Sequence, residues 1–455
     1  MISMRASEIA SLVGGRLVGR DIEFSGSVVI DSREATPGSL FAALPGEHVD
    51  GHDYVLAAAQ LGAVLALVVR DVDSDQITSI VVPDVAMALF QFASEVRKRL
   101  TNVTVVGITG SQGKTTTKDM LLQVLSNFGE TVAPKESFNN EIGLPLTILK
   151  CNEATRYLVL ELGATHIGDI AKLAAIAKID VAIVLIVGNA HLGEFGSVEN
   201  IAQAKGELVE ALGPKGYAVL GTYDSFTPQM SSRTPGRVIT FGPSGLVRAE
   251  QLSLVDGEPL FVVDDREIHL HFTGAHQVAN AEAVLAACQV LDLDMARVAH
   301  ALSAARPLSK WRMERSVTPL GALLLNDCYN ANPASMSAAL NTLAEIATGR
   351  TGRSIALLGE MRELGESSHV AHENIGRLVA ELMISRFAGI GEAGETMVRA
   401  AIAAGHQDAR AFADHNAALL FVETDLQSND VILVKASRGT HLEGLAEHLA
   451  QGANP

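Results

Sequence analysis

VTVVGITGSQGKTTTKDMLLQVLSNF, residues 103–128, joins a short β-branched run to a glycine-punctuated turn and then to a helix-like segment with apolar residues at Met120, Leu121, Val124, Leu125 and Phe128. A strand that enters a helix through glycines is suited to phosphate. The glycines let the backbone approach the anion, the first N–H groups of the helix point at it, and Lys114 adds positive charge. Gly110, Ser111, Gln112, Gly113, Lys114, Thr115 and Thr116 are therefore candidate ATP contacts, with Thr115 placed to hold Mg²⁺ through its hydroxyl. The broad phosphate-loop pattern asks for glycine five residues before Gly113, where Ile108 stands. The strand-turn-helix context carries the reading instead.

Working outward, YLVLEL (157–162) and DVAIVLIV (180–187) read as buried strands separated by helical stretches, the rhythm of a parallel sheet with crossover helices. Glu161 ends one of them, at the sheet edge where open α/β proteins bind ligands, and is a candidate Mg²⁺ ligand. His191, just beyond 180–187 in GNAHLGEFGS, is expected on the same edge, as a metal ligand or in catalysis. After Arg237 the pattern changes to alternating strands with an Asp256-Gly257 hairpin, which predicts an antiparallel edge on the parallel sheet, before a helix over 276–291. The Ser/Thr/Pro-rich stretch 222–236 reads as a surface loop.

Upstream, LALVV and SIVV suit a small α/β domain, and a helix over 86–100, ending in Arg97, Lys98 and Arg99, leads into the phosphate-loop unit. Downstream, ALLLN (322–326), SIALLG (354–359) and VILVK (431–435) alternate with helices in a third, Rossmann-like series. The expected fold class is thus α/β in three domains: 1–83, 84–306 and 307–455. At 455 residues the chain exceeds what a single core supports, which also calls for more than one domain.

The chain is 48% hydrophobic, enough to pack cores and to exclude a disordered protein, and its net charge of −17 without a basic block argues against nucleic acid as a partner. Three widely spaced cysteines without CxxC spacing argue against a disulfide framework and fit a reducing compartment. The first residues have no sustained apolar run, so neither a signal peptide nor membrane insertion is expected, and the reading is a cytoplasmic monomer.

TGSQGKTTTKD (109–119), KESFNNEIGLPLT (135–147), ELGATHIGDI (161–170), NAHLGEFGSVENIAQAKGE (189–207), GAHQVANAEAV (274–284) and NDCYNANPASM (326–336) together resemble the Mur ligases in order and spacing, over essentially the whole chain. Within that family, SFNNEIGLP and YNANPASM imply the member reaction that uses MgATP to join D-alanyl-D-alanine to UDP-N-acetylmuramoyl-tripeptide through an acyl phosphate, in peptidoglycan precursor synthesis. The N-terminal DSREATPGSLFAALPGEHVDGHDY (31–54) resembles the family's uridine-nucleotide-binding domain and implies Ser32 and Arg33 as contacts. By the same resemblance Lys205 matches a lysine that the family carbamylates to give an anionic metal-site ligand. Asn280 and Arg312 match nucleotide contacts, Asn139 and Asn140 face the UDP-substrate, and Tyr329, Asn330 and Asn332 face the dipeptide, with the third domain closing over ATP. Read from the residues alone, Lys205 is a helix-surface cation, and Ser32 and Arg33 are an ordinary turn. The chain departs from the family pattern at Thr165, at Gly221-Thr222 and at Glu360.

Overall fold

The computed structural model describes residues 1–46, 49–73, 75–188, 190 and 192–452. Its three main sheets follow one another along the chain. The first is five-stranded, in the order Arg16–Val18, Thr78–Val81, Leu65–Val68, Leu40–Ala42 and Val28–Val29, parallel except for its first strand. The helix Val85–Arg99, started by the Asp84 carboxylate on the Met87 N–H, leads out of it and ends in three cations that complement the helix dipole.

The second sheet has six parallel strands, ordered Arg237–Phe241, Tyr217–Gly221, Val181–Val184, Thr104–Thr109, Thr155–Glu161 and Glu130–Val132. From Thr104–Thr109 the chain crosses to one edge and returns beside it at Thr155–Glu161, then continues on its other side. That makes the end of Thr104–Thr109 a switch point, where a crevice opens. Strands buried on both faces carry the continuous apolar runs seen in the sequence, as in the fully buried Val181–Val184.

The antiparallel strands expected after residue 237 are present but placed otherwise. Arg237–Phe241 joins the six-stranded sheet in parallel, whereas Glu250–Val255, Glu258–Val263 and Arg266–His269 form a three-stranded antiparallel sheet of their own. Their alternation explains this. Phe261, Val263, Ile268, Leu270 and Phe272 are buried together against the helices Gln277–Val290 and Met295–Ala304, so the small sheet lies face-on over a core instead of extending an edge. The stretch 222–236 is also more than a loop: Thr227–Arg233 is a 3₁₀ helix, and Arg233 reaches the Ala202 and Gln203 carbonyls and the Glu210 carboxylate.

The third sheet runs Glu314–Val317, Leu323–Asp327, Val431–Lys435, Ser354–Leu358, Arg386–Ile390 and Ala409–Phe412, parallel except for the first strand. Register sets Asp327 beside Lys435 at its C-terminal edge. Across the boundary the Asp256 carboxylate takes Arg315 at 2.5 Å and Arg350 at 3.1 Å, and the Gly193 N–H reaches the Glu363 carbonyl at 3.1 Å. The three cysteines are buried free thiols, and burial pushes Cys151 and Cys288 up to about 12.

Candidate active site

Two cavities meet at the phosphate loop. The first, about 430 Å³, is lined on one side by Ser111 to Thr116, Glu161 and Asn280, and on the other by Arg312, Asp327, Tyr329, Asn330, Asn332 and Lys435 of the third sheet's unit. The second, about 500 Å³, is lined by Asn140, Thr165, Asp169 and Lys205. Lys114 and Asn139 line both.

The loop is held open by its neighbours. Its Ser111 N–H donates to the Ile186 carbonyl at 2.8 Å, while the Ser111 hydroxyl bridges the backbone of Gly188. Gly113 begins the helix Lys114–Leu125 at φ +84°, a left-handed conformation, and a Cβ there would lie 2.2 Å from Asn280 Oδ1. Only glycine fits that position. Lys114 Nζ donates to the Gly110 carbonyl at 2.8 Å, and its enclosure lowers its pKa, an effect that Glu161 opposes and Arg312 reinforces.

Below Lys114 lies a knot of oxygen donors. Thr115 Oγ1 donates to the buried Glu161 carboxylate at 2.9 Å and lies 3.0 Å from Ser137 Oγ; Asn139 Nδ2 donates to the other Glu161 oxygen at 2.9 Å. Hydroxyl and carboxylate oxygens of this kind suit a hard cation such as Mg²⁺. Lys205, 4% exposed, faces the second cavity, and burial first and Lys114 second pull its pKa well below the usual lysine range. His191 lies outside the described residues, so its expected placement beside the loop is not addressed by the geometry.

The opposite wall comes from the third unit. Trp311 and Met313 both hold positive φ, at 60° and 52°, and so turn Arg312 inward between them. Its guanidinium donates to Ser137 Oγ at 2.9 Å and covers the Tyr329 ring at 4.0 Å, while its Nε is buried without a hydrogen-bond partner. A guanidinium whose Nε N–H has no protein acceptor fits an anion in the cavity. Asn332 Oδ1 accepts from the Ser335 N–H in the capping box that opens the helix Pro333–Arg350, so its oxygen is already engaged. Asn280 is likewise held, accepting from Thr117 and donating to Gln277, and Asn140 Oδ1 accepts from the N–H groups of Ile142 and Gly143. Ser32 and Arg33 lie apart from both cavities. Arg33 is 87% exposed and paired to Asp31 at 2.6 Å, and the neighbouring Glu34 lies 3.2 Å from Lys135.

Several lining residues escape a reading of the sequence. Lys435 is fully buried, donating to Asp327 at 2.6 Å and to the Asn330 carbonyl at 2.9 Å, although VILVK reads simply as a strand. Tyr223 lines the first cavity and donates to Glu282 at 2.5 Å; burial raises the Glu282 pKa. His276 is exposed on the cleft wall; desolvation there pulls its pKa down to about 4, with Asp327 opposing and Lys435 reinforcing. A buried Lys at a strand end opposite an Asp at another strand end was the one available signal, and it needs the sheet order to be recognised. Among the departures, Thr165 lines the second cavity and bonds Asp169, Thr222 Oγ1 donates to the Phe241 carbonyl, and Glu360 pairs with Arg362 at 3.1 Å.

Comparison with known proteins fits this arrangement. Family profiles match along the chain: Mur ligase family, catalytic domain over 26–98, Mur ligase middle domain over 108–288, and Mur ligase, glutamate ligase domain over 311–438. A UDP-N-acetylmuramoyl-tripeptide--D-alanyl-D-alanine ligase of Mycobacterium bovis is 39% identical, covering 99% of this chain and 98% of that one. This chain belongs to the Mur ligase family. The Escherichia coli enzyme of the same name is 31% identical to this Mur ligase over 99% of both chains. A solved structure of MurF from Acinetobacter baumannii superposes with TM-score 0.87 at 32% identity, over 98% of this chain and 99% of that one. MurF ligase from Thermotoga maritima, solved in complex with ADP, superposes at 0.79 with 28% identity, over 94% and 97%.

Proposed function

We propose that this Mur ligase uses ATP to join D-alanyl-D-alanine to UDP-N-acetylmuramoyl-tripeptide, giving UDP-N-acetylmuramoyl-pentapeptide, ADP and phosphate. The observation that carries the reading is that the two cavities meet at Lys114 and Asn139. A nucleotide in the first puts its γ-phosphate where a carboxylate in the second can reach it.

The chemistry follows from that meeting point. A carboxylate is a poor acyl donor to an amine, so its oxygen first takes the γ-phosphoryl group from ATP and ADP departs. The amine of the dipeptide then attacks the carbonyl carbon of the acyl phosphate, loses a proton and expels phosphate. Lys114 and Arg312 neutralise the negative charge of the transferring group from opposite sides, and the separate units hold both substrates in line, where most of the rate arises. Thr115 and Glu161, with Ser137 beside them, would hold Mg²⁺, which shields the phosphate charges when bound. We assign His191 to the same metal site or to catalysis on its position in the sequence after 180–187 and on the family resemblance. Ser111, Gln112, Gly113, Thr116, Gly110 and Asn280 shape the nucleotide side, Asn139 and Asn140 the acyl-substrate side, and Tyr329, Asn330 and Asn332 the dipeptide side.

By the same reading, residues 1–83 take the UDP moiety through Ser32 and Arg33, 84–306 take ATP, and 307–455 take the dipeptide and close over ATP. On the family resemblance Lys205 would be carbamylated: burial disfavours its ammonium form, the neutral amine is the form that adds to CO₂ with loss of a proton, and the resulting anion would face Lys114. Carbon-13 NMR after addition of labelled bicarbonate should show one carbamate signal, absent in Lys205→Ala. No described helix is long and apolar enough to cross a membrane. On the family resemblance the enzyme is read as cytoplasmic, and as a monomer, since one chain can supply both walls of the cavity.

The test is phosphate release from ATP with UDP-N-acetylmuramoyl-tripeptide, comparing D-alanyl-D-alanine with diaminopimelate, lysine and glutamate as amine. Release with D-alanyl-D-alanine alone is expected; release with another amine would keep the ligase class and overturn the substrate.

A further inference from the structure

The three-stranded sheet carries a second cluster of metal-binding groups, far along the chain from the phosphate loop and independent of the ligase reading. The stretch Glu267, Ile268, His269, Leu270, His271, Phe272 alternates, and the structure uses the alternation: Ile268, Leu270 and Phe272 are buried at 0%, 0% and 3% exposure, which turns both histidines to the opposite, open face. Register pairs Leu260 with His269, and Pro259 receives the Leu270 N–H, so Glu258 arrives on that same face opposite His271.

There the three side chains converge. Their ligand atoms lie within 4.8 Å of one another, with His271 Nδ1 2.8 Å and His269 Nε2 3.5 Å from Glu258 Oε2. A tetrahedral ion with bonds of about 2.0–2.1 Å to each ligand spaces its donors by about 3.3 Å, between the two separations, so an ion entering would replace the proton of the His271–Glu258 hydrogen bond and part that pair slightly. The imidazole rings stand 4.4 Å apart, and His269 Nε2, although 3.5 Å from Glu258 Oε2, is buried without a hydrogen-bond partner. Side-chain exposures of 39%, 27% and 22% for His269, His271 and Glu258 leave a route for an ion and a fourth, solvent position.

We propose that Glu258, His269 and His271 form a site for a divalent transition ion of the zinc class. Two imidazoles and one carboxylate favour such an ion over Mg²⁺, which prefers an all-oxygen octahedron. The ion would tie the strand Glu258–Val263 to the segment carrying both histidines. It would do so two residues from Asp256, the carboxylate that grips Arg315 and Arg350 of the third unit.

Equilibrium dialysis of the full chain against Zn²⁺ in the presence of excess Mg²⁺, followed by metal analysis, tests it. We expect one zinc retained per chain, lost in the double variant H269Q/H271Q and weakened at least about tenfold in E258Q. Zinc should also raise the melting temperature of the native chain and leave that of the double variant unmoved. Retention of zinc by the double variant, or no retention by the native chain, would overturn the site. A crystal soaked in Zn²⁺ gives a reading that needs no variant: anomalous density among these three side chains supports the proposal, and density elsewhere only sinks it.

Discussion

The two walls of the first cavity, the one assigned above to ATP, are built in different ways. The phosphate-loop wall is local: the loop and the helix N-terminus behind it lie within a few residues, with their donors set by backbone geometry. The facing wall is assembled from distant strand ends, where Asp327 and Lys435 meet because parallel pairing puts them in register. A local wall should fail in rate when cut, and an assembled wall should fail in stability first.

The largest expected effect is on the local wall. On the proposed mechanism Lys114→Ala should lower turnover by about 10²–10³-fold, since it would remove charge aimed at the transferring phosphoryl group, while leaving the denaturation midpoint nearly unchanged. On the assembled wall, Lys435→Met leaves Asp327 without its partner. A loss of about 3 kcal/mol is expected in denaturant unfolding, partly recovered in Lys435→Met/Asp327→Asn. If Lys435→Met instead melted normally and lost only turnover, the contrast between the walls would collapse.

Gly113→Ala sharpens the local case, because it sets a Cβ against Asn280 in a left-handed conformation. It should cost about 1–2 kcal/mol and weaken ATP binding, with Asn280→Ala relieving the clash but not the backbone strain. His276 gives a smaller effect, on pH alone. With its pKa down at about 4, the ring is neutral above that value and gains a proton only below it. Its NMR ring signals should therefore not move between about pH 8 and 6, and His276→Gln should leave the shape of the turnover profile over that range unaltered. The smallest change in stability is expected for Asp256→Ala, whose partners are half-open to water. A loss of about 0.5–1 kcal/mol in thermal unfolding would fit a surface contact.

What could be read from the sequence follows the same division. Residues 103–128 announced strand, turn, helix and ligand because each signal sits beside the next, and Glu161 at the sheet edge followed from the strand that carries it. The antiparallel strands after Arg237 were legible as strands, but what they pack on was not: alternation shows that one face of Glu258–Val263 is apolar, not which core will cover it. Lys435 was invisible as a site residue for a related reason. In VILVK it is the polar end of a buried strand, and only the insertion of that strand between Leu323–Asp327 and Ser354–Leu358 gives it Asp327 as a neighbour. Asn140 and Asn332, matched to substrate through the family, also have local work that the sequence does not show: Asn140 Oδ1 accepts from the turn at Ile142 and Gly143, and Asn332 Oδ1 caps the helix Pro333–Arg350.

The turn at Asp256-Gly257 has a mechanical consequence. Its carboxylate and carbonyl take two arginines from separate elements of the third unit, Arg315 and Arg350, and Gly257 lies so close to Ile346 that a Cβ would stand 2.4 Å from it. A joint fastened at several points around one small knuckle resists sliding and torsion far better than it resists rocking. Displacing either element of the third unit at this point therefore pulls on the same turn, and each arginine feels the other's movement through one carboxylate.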